Sequence, residues 1–450
     1  MAYEKSVGSK QAGTHRDPRV LPLAVPIMLS NVSTPLVGVI DTSVVGQLED
    51  PSGIGAVSLG SMVFTVVFLA FGFLRMGTTG LTAQAVGAAD RDEEALTLCR
   101  GLVVAFAAGV MILVFSPLLR ELAFLTLEGS AEVERGARTY FNIRVISAPF
   151  ALTNYVIVGW FVGRGRTDVA LSVQLLLGGV NLVLDALLVL AFELGIEGIA
   201  WGTLSAEVVA MATGLCLALR HRVFRVGLYG QGALGRRLFD RSKVRRLLSV
   251  NVDIMVRSVA LTSVFLWFTA KGAAFGDVTL AANTILAHSI SVSAYFLDGL
   301  AFATETLVGQ AFGKRDVRAL VQSVRRASIW ALLFASALSL SIFWLGPLGI
   351  DALTVDEETR LTAKTYLPWA SLGPIFGVAA YQLDGVFIGA TRTGHMRNAM
   401  LLSLALFACA YVLLRPYGNH GLWIALLLHY PARAVTLLWG VPELLRAAQE

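Results

Sequence analysis

Charge is the first shortage in this sequence. Of its 450 residues, 15% are Asp, Glu, Lys or Arg and 56% are hydrophobic, where soluble domains run at roughly 25% charged and 45–50% apolar. The mean hydropathy of +0.69 excludes a soluble globular domain and leaves a membrane protein. Cysteine is scarcer still. Cys99, Cys216 and Cys409 stand singly in or near apolar segments, a pattern of neither a disulfide framework nor a metal cluster, and they read as packing residues. The period-two alternation of a membrane β-barrel is missing. No GxxxxGK[ST] loop occurs, "FGKRD" at 312–316 being only its tail, so ATP drive is unsupported; no HExxH or nucleophile–base motif points to an enzyme.

Long apolar runs between short polar joints are what the chain does have. With about 20 residues per spanning helix, punctuation by Gly, Pro and charge predicts twelve spans: 20–47, 54–82, 97–119, 138–162, 169–192, 196–219, 247–270, 279–309, 321–348, 366–390, 397–415 and 420–442. Residues 1–19 form a polar tail that reads as retained rather than as a cleaved signal peptide. The joint 220–246 holds Arg220, Arg222, Arg225, Arg236, Arg237, Arg241, Lys243, Arg245 and Arg246 against a lone Asp240, so the positive-inside rule makes it cytoplasmic. Both termini, including the end at 443–450, then fall on the same side. The net charge of +5 reflects orientation, and no nucleic-acid partner is expected. The lipid bilayer of the inner membrane is the expected surrounding, and a monomer the expected state.

The chain also repeats itself. "TAQAVGAADRDEEAL" at 82–96 matches "VGQAFGKRDVRAL" at 308–320, with Gln84 on Gln310, Gly87 on Gly313 and Asp90 on Asp316, a shift of 226; "VGRGRT" at 162–167 falls on "IGATRT" at 388–393 by the same shift. The expected fold class is therefore an all-α polytopic membrane protein, with lobes at 20–219 and 247–442 built as parallel six-helix repeats. A cleft between two such lobes is a transporter layout.

One feature sits badly with an apolar helix. In "GVIDTSVVGQL", Asp41 interrupts an uncharged run that lasts from Val20 to Glu49, and an intramembrane carboxylate is by default a functional hypothesis. Asp41 and Asp185 each lie eight residues before a glutamate at the outer end of an outward-running helix, Glu49 and Glu193, which places both about 12 Å below that surface. Asn181 shares the helix face of Asp185, and Thr203 reaches a similar depth. Such oxygens can ligate a hard cation or share a proton. At the repeat shift, Asp41 falls on Trp267 and Asn181 on Phe407, so the second half lacks the cluster. A requirement of the fold would recur in both halves, which favours a functional site.

Taken in order, "AQAVG", "GQAFG", "GVIDTSVVGQL", "GRGRTD", "GGVNLVLD" and "GIEGIAWGT" resemble the MATE (multidrug and toxic compound extrusion) transporters. "FLRMGTTGLTAQA", "YFLDGLAFATETLVGQAFG" and "QLDGVFIGATRTG" resemble the DinF branch in particular. The resemblance implies a V-shaped pair of lobes that exports organic, often cationic or amphiphilic compounds in exchange for H⁺ or Na⁺, with no other cofactor. It assigns Asp41, Asn181, Asp185 and Thr203 to one cation or proton site, with Tyr140 and Asn154 lining it. Asp384 matches an acidic position of the second lobe, a weak second site whose usual companion on helix seven is here replaced by Arg257. A flippase of lipid-linked precursors is the rival within transport, and would carry a strongly basic cleft and further helices.

Pro26 and Pro35 stand in the helix of Asp41. Proline removes an intrahelical hydrogen bond, so loading Asp41 is expected to change the bend at Pro26. Arg75, Arg257 and Asp298 are placed at comparable depths by counting from the cytoplasmic joints, and a buried ion pair or an interlobe gate among them is expected, without the sequence saying which pair forms.

Overall fold

A computed structural model describes residues 20–45, 51–126, 130–221 and 237–449, with side chains for the same residues apart from 32–43, 45, 51 and 52. The described chain is helical throughout: α1 (Val20–Val45), α2 (Pro51–Ala70), α3 (Phe73–Gly87), α4 (Arg91–Val114), α5 (Ser116–Thr126), α6 (Ala131–Arg144), α7 (Ala148–Gly163), α8 (Thr167–Ala186) and α9 (Gly195–Leu219), then α10 (Arg241–Ala273), α11 (Asp277–Gly313), α12 (Val317–Leu353), α13 (Glu357–Gly389), α14 (Thr393–Leu414) and α15 (Gly418–Ala447). Helices α2 and α3 make one span with a break at Phe71–Gly72, and α6 and α7 make another through a 3₁₀ turn. Ten segments of the described residues are long and apolar enough to cross a membrane; the last, Thr393–Ala447, contains both α14 and α15, and in α1 the apolar stretch counted is Val20–Asn31. The tail 1–19 and most of the basic joint lie outside the described residues.

Helix ends run past the hydropathy boundaries. α11 and α12 have 37 residues each, about 55 Å of helix at 1.5 Å per residue, against a hydrocarbon core of about 30 Å. The third span begins at Arg91, not 97, and stops at Val114; α5 follows as a separate short helix, where hydropathy predicts one span over 97–119. The seventh span begins at Arg241 rather than 247, because Asp240 caps it by accepting from the Ser242 and Lys243 amides. The Ser242 hydroxyl, donating to the same carboxylate, and then these two amides hold the Asp240 carboxyl below the ordinary aspartate range.

The repeat has a stereochemical cause. Asp90 and Asp316, matched by the 226 shift, are the N-caps of α4 and α12, accepting from the Glu93 and Ala319 amides at 2.9 Å in both cases. The residue before each, Ala89 and Arg315, is left-handed with φ of 56° and 58°. Gly165 and Thr391, also matched, have φ of 74° and 52°. Equal turns launch equivalent helices.

Helices before 221 pack mainly on one another, as do those after 241, and α11 bridges the two sets by lying against α1 and α3. The first set encloses Phe64, Tyr140, Phe141 and Trp160; the second encloses Phe268, Phe407 and Trp423. Lipid is as apolar as these side chains, so helix association in a membrane leans on close packing by small residues. Accordingly Ala24 and Met28 of α1 pack with Ala303 of α11, and Gly299 receives Met28.

Candidate functional site

The carboxamide of Asn181 ties the predicted cluster together. On α8 its Nδ2 donates to Asp185 Oδ2 at 3.0 Å and to Thr203 Oγ1 of α9 at 3.3 Å, while Thr203 Oγ1 donates to the Ile199 carbonyl at 2.9 Å. Asn181 and Asp185 are wholly buried and Thr203 nearly so. The fourth member, Asp41, has its backbone in α1, which packs along α8 and touches α9; its side chain lies outside the described residues, as does that of Pro35. Pro22 and Pro26 fall within the continuous helix α1.

Two features beside the cluster were not foreseen. Gly202 of α9 sits so close to Asp185 that a Cβ there would strike its Oδ1, so the small residue makes room for the carboxylate. The stretch "GIEGIAWGT" contained this glycine, but nothing in it names the residue it faces. A π-helical segment, Leu187–Ala191, begins two residues after Asp185, and such segments gather at functional positions.

Tyr140 and Asn154 go to different places. Tyr140 is buried where Gly60 leaves room for its ring, near Phe64. Asn154 belongs to a second polar group: its Nδ2 donates to Glu207 Oε2 at 2.6 Å, and Glu207 lies 3.7 Å from Arg144 Nη2. Arg144 in turn stands over the rings of Phe64 and Phe68. Thr203 and Glu207 are one turn apart on α9, so they share a face and the two polar groups are neighbours.

The buried charges elsewhere resolve into definite partners. Arg257 of α10 donates to Asp384 of α13, and Arg433 of α15 approaches the same carboxylate at 3.5 Å. Asp384 is thus neutralised from within by two guanidinium groups rather than left open to a cation. The pair is Arg257–Asp384, not one with Asp298, which makes no hydrogen bond or ion pair among the described residues. Arg75 of α3 makes no ion pair there either: Nη1 donates to Asn31 Oδ1 of α1 at 3.3 Å and the guanidinium lies 4.2 Å from the ring centroid of Phe302 on α11. Asn31 Nδ2 donates onward to the Tyr295 carbonyl at 3.2 Å. A small enclosed cavity of about 10 Å³ adjoins Arg75, Ser30 and Phe302, room for about one water. Glu305 is fully buried on α11, its two carboxylate oxygens without a hydrogen-bond donor among the described residues.

At the end that carries the basic joints, the two halves of the chain are sewn together. Gln84 Nε2 donates to the Gly389 carbonyl at 2.8 Å, and its repeat mate Gln310 donates to the Gly163 carbonyl at 3.3 Å. Gly389 and Gly163 are themselves matched by the 226 shift. A Cβ on Gly87 would strike the Gln310 carbonyl oxygen, and one on Gly313 the Gln84 carbonyl oxygen. Thr306 adds a bond to the Val162 carbonyl at 3.0 Å. Arg246 completes the seam, donating to Gln84 Oε1 at 2.6 Å and Thr391 Oγ1 at 2.8 Å, where the 226 shift matches it with Val20.

Comparison with known proteins agrees with this layout. The MatE family model matches residues 26–187 and again 254–414, once in each half. DNA damage-inducible protein F of Escherichia coli K12 is 37% identical over 431 residues, covering 94% of this chain and 92% of its own. A probable multidrug resistance protein NorM of Halalkalibacterium halodurans is 21% identical, with 95% and 94% covered. Among solved structures, a MATE protein crystallised in a bent conformation superposes with a TM-score of 0.84 at 20% identity, covering 96% of both chains.

Proposed function

This chain belongs to the MATE family of efflux transporters, a multi-pass membrane protein and not an enzyme, and from that premise we propose that it is a secondary active exporter of small organic or amphiphilic compounds, driven by H⁺ or Na⁺ antiport. The relatives named as multidrug resistance proteins support the substrate class. The observation that carries the coupling assignment is the buried Asn181–Asp185–Thr203 group, built on the two helices that meet the one bearing Asp41. A carboxylate enclosed there is stabilised when it gains a proton or a cation, and either event alters the packing of α1 on α8 and α9.

The rest of the proposal concerns motion. The segments 20–219 and 247–442 act as two lobes, the basic joints face the cytoplasm, and the glutamine and glycine seam closes the cytoplasmic end, which makes this an outward-facing arrangement. Loading at Asp41 and Asp185 changes the bend of α1 at Pro26, and the α1–α11 contact passes that change to the second lobe. Arg257 serves as a permanent cation for Asp384, so exchangeable coupling rests with the first lobe. A flippase of anionic precursors would turn Arg257 and Arg433 to its cleft, whereas here both are buried against Asp384.

The test is efflux from proteoliposomes under separately imposed pH and sodium gradients, comparing wild type with Asp41→Asn and Asp185→Asn. Both variants should lose gradient-driven transport. Undiminished transport in Asp41→Asn would sink the coupling assignment.

A further inference from the structure

At the basic end of α10 two concavities adjoin, and their linings differ in kind. One is a groove of about 820 Å³ lined by Phe239, Val244, Leu248 and Val252, with Arg241 and Arg245 at its rim. Phe239, Leu248 and Val252 are 66%, 45% and 50% exposed, an apolar surface at the start of the membrane span Arg241–Ala273, where acyl chains rather than water are the neighbours. The other, of about 560 Å³, shares Arg245 and Ser249 with the groove and adds Arg246, Arg392, Thr393 and His395.

The second concavity carries an excess of positive charge. Arg245 has no hydrogen bond or ion pair among the described residues. Arg246 is held only by neutral acceptors, Gln84 and Thr391. Arg392 reaches Glu443 no closer than 3.9 Å. The acidic residue in the lining, Asp253, is already engaged by Arg397 at 2.7 Å and Thr393 at 3.0 Å. Helix α14 starts here at Thr393 with no side-chain cap, so its first-turn amides add partial positive charge. Three guanidinium groups around an uncapped helix start suit the oxygens of a phosphate.

We propose that these two concavities form one binding site for an anionic phospholipid, with the headgroup phosphate among Arg245, Arg246 and Arg392 and an acyl chain in the groove along Leu248 and Val252. The length and polarity of such a molecule match a basic pocket that continues into an apolar one, and basic pockets between membrane helices bind anionic headgroups. The site does not depend on the identity of the coupling ion or on the cluster at Asp185.

The full-length protein is purified with vesicle lipid and examined by native mass spectrometry and thermal unfolding, with phosphatidylglycerol, with phosphatidylcholine, and with millimolar inorganic phosphate. Wild type should retain phosphatidylglycerol in preference to phosphatidylcholine and gain thermal stability from it. Each arginine near an anionic headgroup strengthens binding by a factor of about five, so Arg245→Gln/Arg392→Gln should weaken retention about 25-fold while keeping the melting temperature found in phosphatidylcholine. Val252→Asp, which leaves the arginines and spoils the groove, should lose the lipid too. Equal retention of phosphatidylglycerol by wild type and the double variant overturns the proposal. So does full replacement of the lipid's effect by inorganic phosphate, which would make this a free-phosphate site.

Discussion

Alanine at Gly87 should weaken the closed end of the transporter and leave the opposite state untouched. A Cβ at this position lies closer than 3.0 Å to the Gln310 carbonyl oxygen, and the mirror change, Gly313→Ala, meets the Gln84 carbonyl oxygen just as closely. Backbone lines both sides of the clash, so no side chain can swing away and α3 must separate from α11. Overpacking of this kind costs about 1–3 kcal/mol, and the separation also stretches the Gln84–Gly389 and Gln310–Gly163 bonds. A net penalty of about 2 kcal/mol, borne by the closed state alone, multiplies the open-to-closed ratio roughly thirtyfold. Thr306, fully buried at the seam, provides the reporter because a thiol replaces its hydroxyl at similar volume: Thr306→Cys in a background with Cys99, Cys216 and Cys409 changed to serine, labelled with a maleimide in membranes. Labelling should accelerate by about that factor in either glycine variant. Gly179→Ala, where a Cβ meets nothing within 4 Å, is the control. The reasoning fails if neither variant changes the labelling rate, or if Gly179→Ala accelerates it equally.

Other outcomes follow from the buried groups. Gly202→Ala should abolish gradient-driven efflux, as Asp185→Asn should, because its methyl group displaces the Asp185 carboxylate; retained coupling in proteoliposomes would dissociate the glycine from the site. Thr203→Val removes one acceptor from Asn181 and should slow coupled efflux while costing about 1 kcal/mol of stability in detergent; an unchanged rate would show that Asp185 alone orients Asn181. Breaking a buried pair strands a charge at about 3–5 kcal/mol, so Arg257→Met should lower the unfolding temperature sharply and Arg257→Met/Asp384→Leu should recover part of the loss; strictly additive losses would show that the two do not act as a pair.

Hydropathy makes the number and order of spans legible because lipid sets a single length scale for every one of them. It says nothing about where a helix ends once it leaves the hydrocarbon, which is why α10 starts at Arg241 and α5 went unseen. The repeat was visible as matched letters; only geometry shows that Asp90 and Asp316 match because both cap helices. At the candidate site, depth counting brought Asn181, Asp185 and Thr203 to one level, and they bond there. Depth carries no information on rotation about the helix axis, so counting could not distinguish Asp384 from Asp298 as the partner of Arg257. Asn31, an amide in the same apolar run as Asp41 and the partner of Arg75, carries no charge to mark it in the sequence.

The paired bonds of Gln84 and Gln310 have the form of an isologous contact, in which one surface meets its own copy across a twofold axis. Two separate six-helix chains could make the same seam as a homodimer. Joining them in one polypeptide lets each half differ, and the departures from symmetry show where: Arg246 is matched by Val20, Thr306 bonds across the seam where its counterpart is Gly80, and the acidic cluster stands in one half. A homodimer cannot place a polar cluster in one half and leave the other free of it; a fused chain can.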